Sequence, residues 1–475
     1  LVSAADPGFV AILMSRVRDV VSVGRMTQSL HRWRAIQTLV VTAALAALMF
    51  SALAFGAESP SLPAATATER WVGTWAAAPQ AAFPGPLQRY DGRTLRLVVH
   101  TSVDGARVRI RLSNTFGRTP LHIAAAHVAL RRQGAEIDPA SDRALNFHGQ
   151  SGVVVAPGQT AVSDPVELAV PALSDLSVSL YVVGHAQAST VHTLAQQTSY
   201  VAGSRGDATG TAQLPSPKAI DSWPFLTGVD VEPAPGGGAI VVFGDSWVDG
   251  DGSTPDANAR WTDALAARLQ RAGGACARVA VLNEGLIGNR LLYDSPVRHA
   301  PNAPDFGRAL GESGLARFDR DVLRQAGVRA VLVHLGTNDI GFEAGLALAD
   351  ETVSAAALIE GYRKLVTRAH RAGLRAIGTT LTPVGGVTLL PNYDTPAKER
   401  LRQQVNAWIR NGGAFDTVID LDRAVRDADH PARLSPSLAS ADGLHPNDTG
   451  YAVVAEALPL AICEEIAPAH PNAEN

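Results

Sequence analysis

At 475 residues the chain is too long for one ordinary domain. With 46% hydrophobic and 18% charged residues and a mean hydropathy of +0.06, it holds apolar material for two soluble cores. A formal net charge of −4 excludes nucleic acid as the main partner, because phosphate binding needs a basic surface, and two cysteines are too few for a disulfide scaffold.

Residues 1–57 read as targeting sequence. His31, Arg32 and Arg34 form a basic patch ahead of the mainly apolar run from Leu39 to Phe55. Ala52 and Ala54 supply the small residues a signal peptidase reads. The expectation is a signal peptide cleaved near Ala54 to Ala57, hence a secreted or periplasmic protein with no stable membrane insertion after cleavage. A membrane anchor is the competing reading, since about 17–20 apolar residues just span a bilayer. Met26 stands directly before the basic patch, so translation is expected to start there, with residues 1–25 an over-extension.

Residues 58–232 are expected to form a β-sandwich. Apolar and cationic residues alternate strictly from Arg107 to Leu112, as a strand with one buried and one wet face requires. Leu95, Leu97 and Val99 repeat the pattern, as do Leu176, Val178, Leu180 and Val182, with turn signals such as Asp104-Gly105 and Pro157-Gly158 between them. Residues 233–238 form a Pro- and Gly-rich linker.

From residue 239 to 475 the pattern becomes α/β. Ala239 to Phe243 is a continuous apolar run suited to a strand covered on both faces. Trp261, Leu265 and Leu269 mark a helix that Gly273-Gly274 ends. Further strands are expected at Val279–Leu282, Ala330–Leu335, Ala376–Thr380 and Thr417–Leu421, with helices around Leu358–Ala369 and Leu401–Ile409 and a last one from Asp448 to Cys463. Such alternation predicts a parallel sheet whose sites lie beyond the carboxyl ends of its strands.

Polar motifs stand at four of those ends: Gly244-Asp245-Ser246-Trp247, Asn283 through Arg290, Gly336-Thr337-Asn338-Asp339, and Asp442-Gly443-Leu444-His445-Pro446-Asn447. Together they are chemically sufficient for acyl transfer. Ser246 can attack as nucleophile, His445 can take its proton, and Asp442, three residues earlier, can orient the imidazole through one local turn. The backbone N–H groups of Ser246 and Gly288 and the side-chain amide of Asn338 can converge on the oxyanion.

These four segments, in this order, resemble the characteristic blocks of SGNH (GDSL-type) hydrolases from Ala239 to the last helix. The resemblance implies a flavodoxin-like three-layer α/β/α domain, preceded here by the β-sandwich. It implies Ser246, Asp442 and His445 as triad, and Ser246, Gly288 and Asn338 as oxyanion hole. Asp249 to Thr254 with Arg260-Trp261, Gly288 to Leu292, Trp71 to Trp75 and Arg111 to Gly117 look like secreted bacterial acylhydrolases related to xylan-active and aryl esterases. Trp247 departs from the motif, which has Leu there. The implied activity is hydrolysis of small acyl esters through an acyl-serine, including acetyl groups on polysaccharide, with no metal or organic cofactor. An O-acetyltransferase using the same triad and a carbohydrate-binding or adhesive protein are the alternatives. In a flavodoxin-like order the helix ends carrying Cys276 and Cys463 can meet in a disulfide or stay as two buried thiols.

Rival assignments exist. Asp427 and His430 form a second Asp-x-x-His without the following helix entry, and Gly285 competes with Gly288, which the resemblance favours because the family's glycine directly precedes a polar residue, here Asn289. Asp249, Asp251 and Asp256 invite a calcium loop, but Arg260 stands where the bidentate Glu belongs, so a solvated loop is expected. His334, inside an apolar strand, is expected to be a satisfied core histidine.

Overall fold

A computed structural model describes residues 71–467 except 185, 389 and 391. The expected leader, with its start at Met26 and its cleavage near Ala54 to Ala57, lies outside the described residues. Among them no helix is long and apolar enough to cross a membrane.

The alternating segments form antiparallel strands. A five-stranded sheet carries Val72–Ala76, Leu226–Val231, Gly105–Ser113 and Val166–Val170 in that order, with Thr160–Val162 also paired to Gly105–Ser113. An eight-stranded sheet is built around Arg93–His100, Asp175–Val183 and Leu121–Gln133. Leu95, Leu97, Val99, Leu176, Val178 and Leu180 share one apolar core with Val108, Ile110 and Leu112 of the other sheet. A small third sheet, Trp223–Pro224, Thr190–His192 and Gln80–Ala81, completes this β-rich part.

The cationic face of Arg107–Leu112 is paired as well as partly wet: the Arg107, Arg109 and Arg111 side chains keep 26%, 27% and 17% exposure. Register places Asp230 opposite Arg109, and its carboxylate, with no exposed side-chain surface, pairs with Arg109 at 3.0 Å and Arg111 at 3.2 Å. Arg107 and Arg109 also lie 5.7 and 4.5 Å from the centre of the Trp71 ring. Charge pairing and cation–π contact share that face with water.

Continuous apolar runs form the parallel sheet. Its strands are β1 (Gly238–Gly244), β2 (Val279–Gly285), β3 (Val328–His334), β4 (Arg375–Thr379) and β5 (Thr417–Ile419), in the order β2-β1-β3-β4-β5. Side chains of β1 alternate between two cores. Ile240 and Val242 pack with Leu265 and Leu269 of α2 (Trp261–Ala272) and Tyr451 of α6 (Asp448–Glu456). Val241 and Phe243 belong to the core that holds Leu358 and Leu365 of α4 (Ala355–Arg371) and Val405 of α5 (Pro396–Asn411). Two further helices matter below, α1 (Ser246–Asp249) and α3 (Thr337–Phe342).

Among the boundaries that differ from expectation, two matter here. Strand β2 continues to Gly285, paired with Gly244, so Asn283 and Glu284 lie inside the sheet. The last helix divides into α6 and α7 (Ile462–Ile466), because Pro459 brings no backbone donor to continue the ladder. The β-rich and α/β parts belong to one compact unit, Glu69–Asn475.

Cys276, just after α2, and Cys463 in α7 are joined in a disulfide across 187 residues. It closes a loop long enough to restrict the unfolded chain considerably. Replacing both cysteines by serine is expected to lower unfolding free energy by about 2–5 kcal/mol, read from the midpoint of urea denaturation.

Candidate active site

Strand β1 is flanked by β2 and β3, so its carboxyl end lies where the connections diverge, the crevice that open α/β sheets offer to ligands. The chain leaves it at Gly244 and turns at once into α1. Asp245 caps that helix by accepting the Trp247 N–H at 3.2 Å, which presents Ser246 as the first helical residue.

His445 reaches the same point from the loop before α6. Its Nε2 lies 2.8 Å from Ser246 Oγ, and its Nδ1 lies 2.6 Å from Asp442 Oδ2. The other Asp442 oxygen accepts the backbone N–H groups of Leu444 at 2.8 Å and His445 at 2.9 Å. That closed turn is why a three-residue spacing suffices. Two contacts seat the loop against α1. The Trp247 indole N–H donates to Leu444 O at 3.0 Å. Gly252 lets the chain pass close by, since a Cβ there would stand 2.4 Å from Pro446 O.

The candidate oxyanion donors line one cavity of about 210 Å³ with Ser246 and His445. Its remaining wall is largely apolar, with Ile287, Phe306, Leu310, Phe342 and Leu390. The backbone N–H groups of Ser246 and Gly288 have no hydrogen-bond partner among the described residues. Asn338 is oriented at both ends of its amide: Oδ1 accepts from Tyr393 OH at 2.9 Å, and Nδ2 donates to Asn289 O at 3.1 Å, leaving one N–H uncommitted. Gly285 does not line the cavity. Its N–H is held by Asn283 Oδ1 at 2.9 Å, and a Cβ there would stand 2.1 Å from Asp249 N, so it serves close packing.

Sequence reasoning missed the supports of this edge. Arg317, fully buried, donates to Gly244 O at 2.7 Å, Glu284 O at 2.9 Å and Asn289 Oδ1 at 3.0 Å. Asp339 accepts the N–H groups of Leu291 at 2.6 Å and Leu292 at 2.8 Å, and burial pushes its carboxyl up to about 6. The departure at Trp247 was a usable signal for its indole contact. Nothing in the local sequence around Arg317 marks it.

The rivals fall elsewhere. Asp427 accepts the backbone N–H groups of Asp429 and His430, both at 2.8 Å, in an exposed turn. The three aspartates of the expected solvated loop divide: Asp249 is buried against His192, Asp256 accepts from Gln197 and Thr198, and Asp251 faces His445 Nε2 at 3.6 Å. No cluster of three or more potential metal ligands occurs among the described residues. His334 lies between the rings of Trp247 and Trp261, and burial holds it down at about 3. Its Nδ1 is bonded to Thr379 Oγ1 at 2.8 Å but its Nε2 has no hydrogen bond, so it is only half satisfied: a neutral ring has no second proton to give.

Residues 242–453 match the family model of the GDSL-like Lipase/Acylhydrolase family. Among solved structures, the chain is similar to an aryl esterase from M. smegmatis, at 18% identity over 48% of this chain and 98% of that one, with a TM-score of 0.34. It is similar to a carbohydrate acetylesterase from Sinorhizobium meliloti at 16% identity over 48% of this chain and 98% of that one, with a TM-score of 0.32. A GDSL-like lipase from Bacteroides thetaiotaomicron aligns at 16% identity over 48% and 88% of the two chains, with a TM-score of 0.32. No curated protein matches.

Burial works against the charged form of His445, but the Asp442 hydrogen bond and the charges of Asp251, Asp442 and Asp245 outweigh it and raise its pKa. The His445 imidazole is therefore expected to titrate above about 6.5, the ordinary value. Asp251→Asn removes one of the negative charges favouring the imidazolium, so the titration followed by NMR should move to lower pH.

Proposed function

We propose that the chain, whose residues 242–453 match the GDSL-like Lipase/Acylhydrolase family model, is an exported serine esterase acting on small acyl esters, free or carried on a carbohydrate. The observation that carries this reading is the hydrogen-bond chain from Asp442 through His445 to Ser246, opening on a cavity that three uncommitted N–H donors share.

In this reaction Ser246 Oγ attacks the ester carbonyl as its proton passes to His445 Nε2. Asp442 holds the ring through Nδ1 and stabilises the imidazolium without taking the proton. The N–H groups of Ser246, Gly288 and Asn338 receive the developing oxyanion. His445 then protonates the leaving alcohol, and the acyl-serine is released by water that His445 activates. The acyl group lies against Ile287, Phe306 and Leu310. A cavity of about 210 Å³ far exceeds the roughly 10–15 Å³ that admits one water, so acyl groups longer than acetyl fit.

Export is supported by the leader-like sequence of residues 1–57 and by the Cys276–Cys463 bond, which suits an oxidising compartment. The finer architecture belongs to the same proposal. A flavodoxin-like α/β/α layering is supported by the strand order and by the division of β1 side chains between two cores, and a β-sandwich before it by the shared core of the two larger antiparallel sheets.

Two experiments test the reaction. Ser246→Ala should abolish p-nitrophenyl ester hydrolysis and labelling by a fluorophosphonate, whereas Asn338→Ala should keep the labelling site and lower kcat about 100- to 1,000-fold. Across p-nitrophenyl acetate, butyrate and hexanoate, kcat/KM should rise with acyl length. A steady decline from acetate would oppose the acyl-side assignment of the apolar wall.

A further inference from the structure

We propose that His192, from the β-rich part, is a positioning residue for ester hydrolysis: it holds Asp249, and Asp249 holds the loop that presents the Gly288 N–H to the oxyanion. This inference rests on the serine-esterase reading above.

His192 ends the short strand Thr190–His192, between Gln80–Ala81 and Trp223–Pro224, and it is buried. Both its ring nitrogens face acceptors. Nδ1 lies 2.9 Å from Ala78 O, and Nε2 lies 2.8 Å from Asp249 Oδ1. Neither a carbonyl nor a carboxylate has a proton to offer, so both hydrogen bonds require an imidazolium. Burial opposes that charge, but the Asp249 carboxylate and the Ala78 carbonyl raise the His192 pKa against it. The result is a buried ion pair with one partner from each part of the molecule.

Asp249 is the last residue of α1, three positions after Ser246, and its side chain has no exposed surface. Its second oxygen accepts the Ile287 N–H at 2.7 Å. The next peptide carries the Gly288 N–H. From Leu286, bonded to Gly244 O at 3.1 Å, to Asn289, Asp249 is the only side chain among the described residues that holds a backbone N–H of the loop. Without His192 the buried Asp249 charge would lose its ion-pair partner, an unfavourable state that the side chain relieves by neutralising or by swinging toward water. Either change releases the Ile287 N–H and lets Gly288 drift, and a displacement of about 1 Å at an oxyanion donor can cost up to 100-fold in rate. His192 touches no reacting atom; its effect passes through Asp249.

The test uses the full chain with p-nitrophenyl butyrate. His192→Gln is expected to lower kcat about 10- to 100-fold with KM within about twofold of wild type, the pattern of an interaction made only in the transition state. Thermal unfolding and fluorophosphonate labelling establish that the variant is folded and that Ser246 is reactive. Asp249→Asn should give a similar loss, and the double variant should be no worse than the weaker single one, because both act through one contact chain. His127→Gln, which breaks another His–Asp pair of the β-rich part at 2.9 Å, should leave kcat unchanged. A folded His192→Gln protein with wild-type kcat overturns the proposal, as does a loss confined to KM. If His192→Gln does not fold, Asp249→Asn with wild-type kcat overturns it equally. Failure of wild type itself to label would instead refute the serine-esterase reading.

Discussion

Arg317 places a positive charge where none of it reaches water. Its guanidinium lies 4.1 Å from the centre of the Phe243 ring and donates to Gly244 O, Glu284 O, Asn289 Oδ1 and, at 3.1 Å, Asp321. Burying such a group is tolerable only when its donors are satisfied, and apart from Asp321 these acceptors belong to the ends of β1 and β2 and to the loop after β2. The planar fork thereby sets the spacing between the strand that delivers Ser246 and the loop that delivers Gly288. Displacing any of these segments would strand a buried charge, so the edge of the sheet is held by a steep penalty as well as by attraction.

The β-rich part meets this edge through polar contacts of the same kind. Asp230 pairs with Arg109 and Arg111, Arg111 bonds Gln325 at 2.5 Å, and Gln325 bonds Glu284 at 2.6 Å beside the Arg317 site. Arg260 donates to Ala195 O at 2.9 Å. An apolar contact would allow sliding; a line of buried hydrogen bonds resists it, because sliding would leave buried donors and acceptors unpaired. Arg111 of the alternating run from Arg107 to Leu112 thus takes part in the attachment.

The parts of this design that were legible in the sequence are those written within a few residues. Period two marked the antiparallel strands, continuous apolar runs marked the parallel ones, and the Asp442–His445 turn closes on itself through backbone N–H groups. The Asn338 and Gly288 motifs stood at strand ends because parallel strands all end on one side. Contacts such as Trp247 with Leu444, 197 residues away, have no local trace beyond an unusual residue in a motif. The partners of Arg107, Arg109 and Arg111 were hidden for the same reason: alternation tells which residues share a face and nothing about what pairs with them.

The sequence by itself determined the change from β-rich to α/β organisation, the order of the parallel strands along the chain, and the set of side chains proposed for acyl transfer. Those follow from periodicity and residue chemistry, which act over one turn or one strand. Tertiary structure alone decided that Cys276 meets Cys463, that Gly285 packs while Gly288 faces the cavity, and that His192 lies against Asp249. Each depends on the registry between segments tens to hundreds of residues apart. That registry is set by packing and by buried charges finding their partners, and no local pattern encodes it.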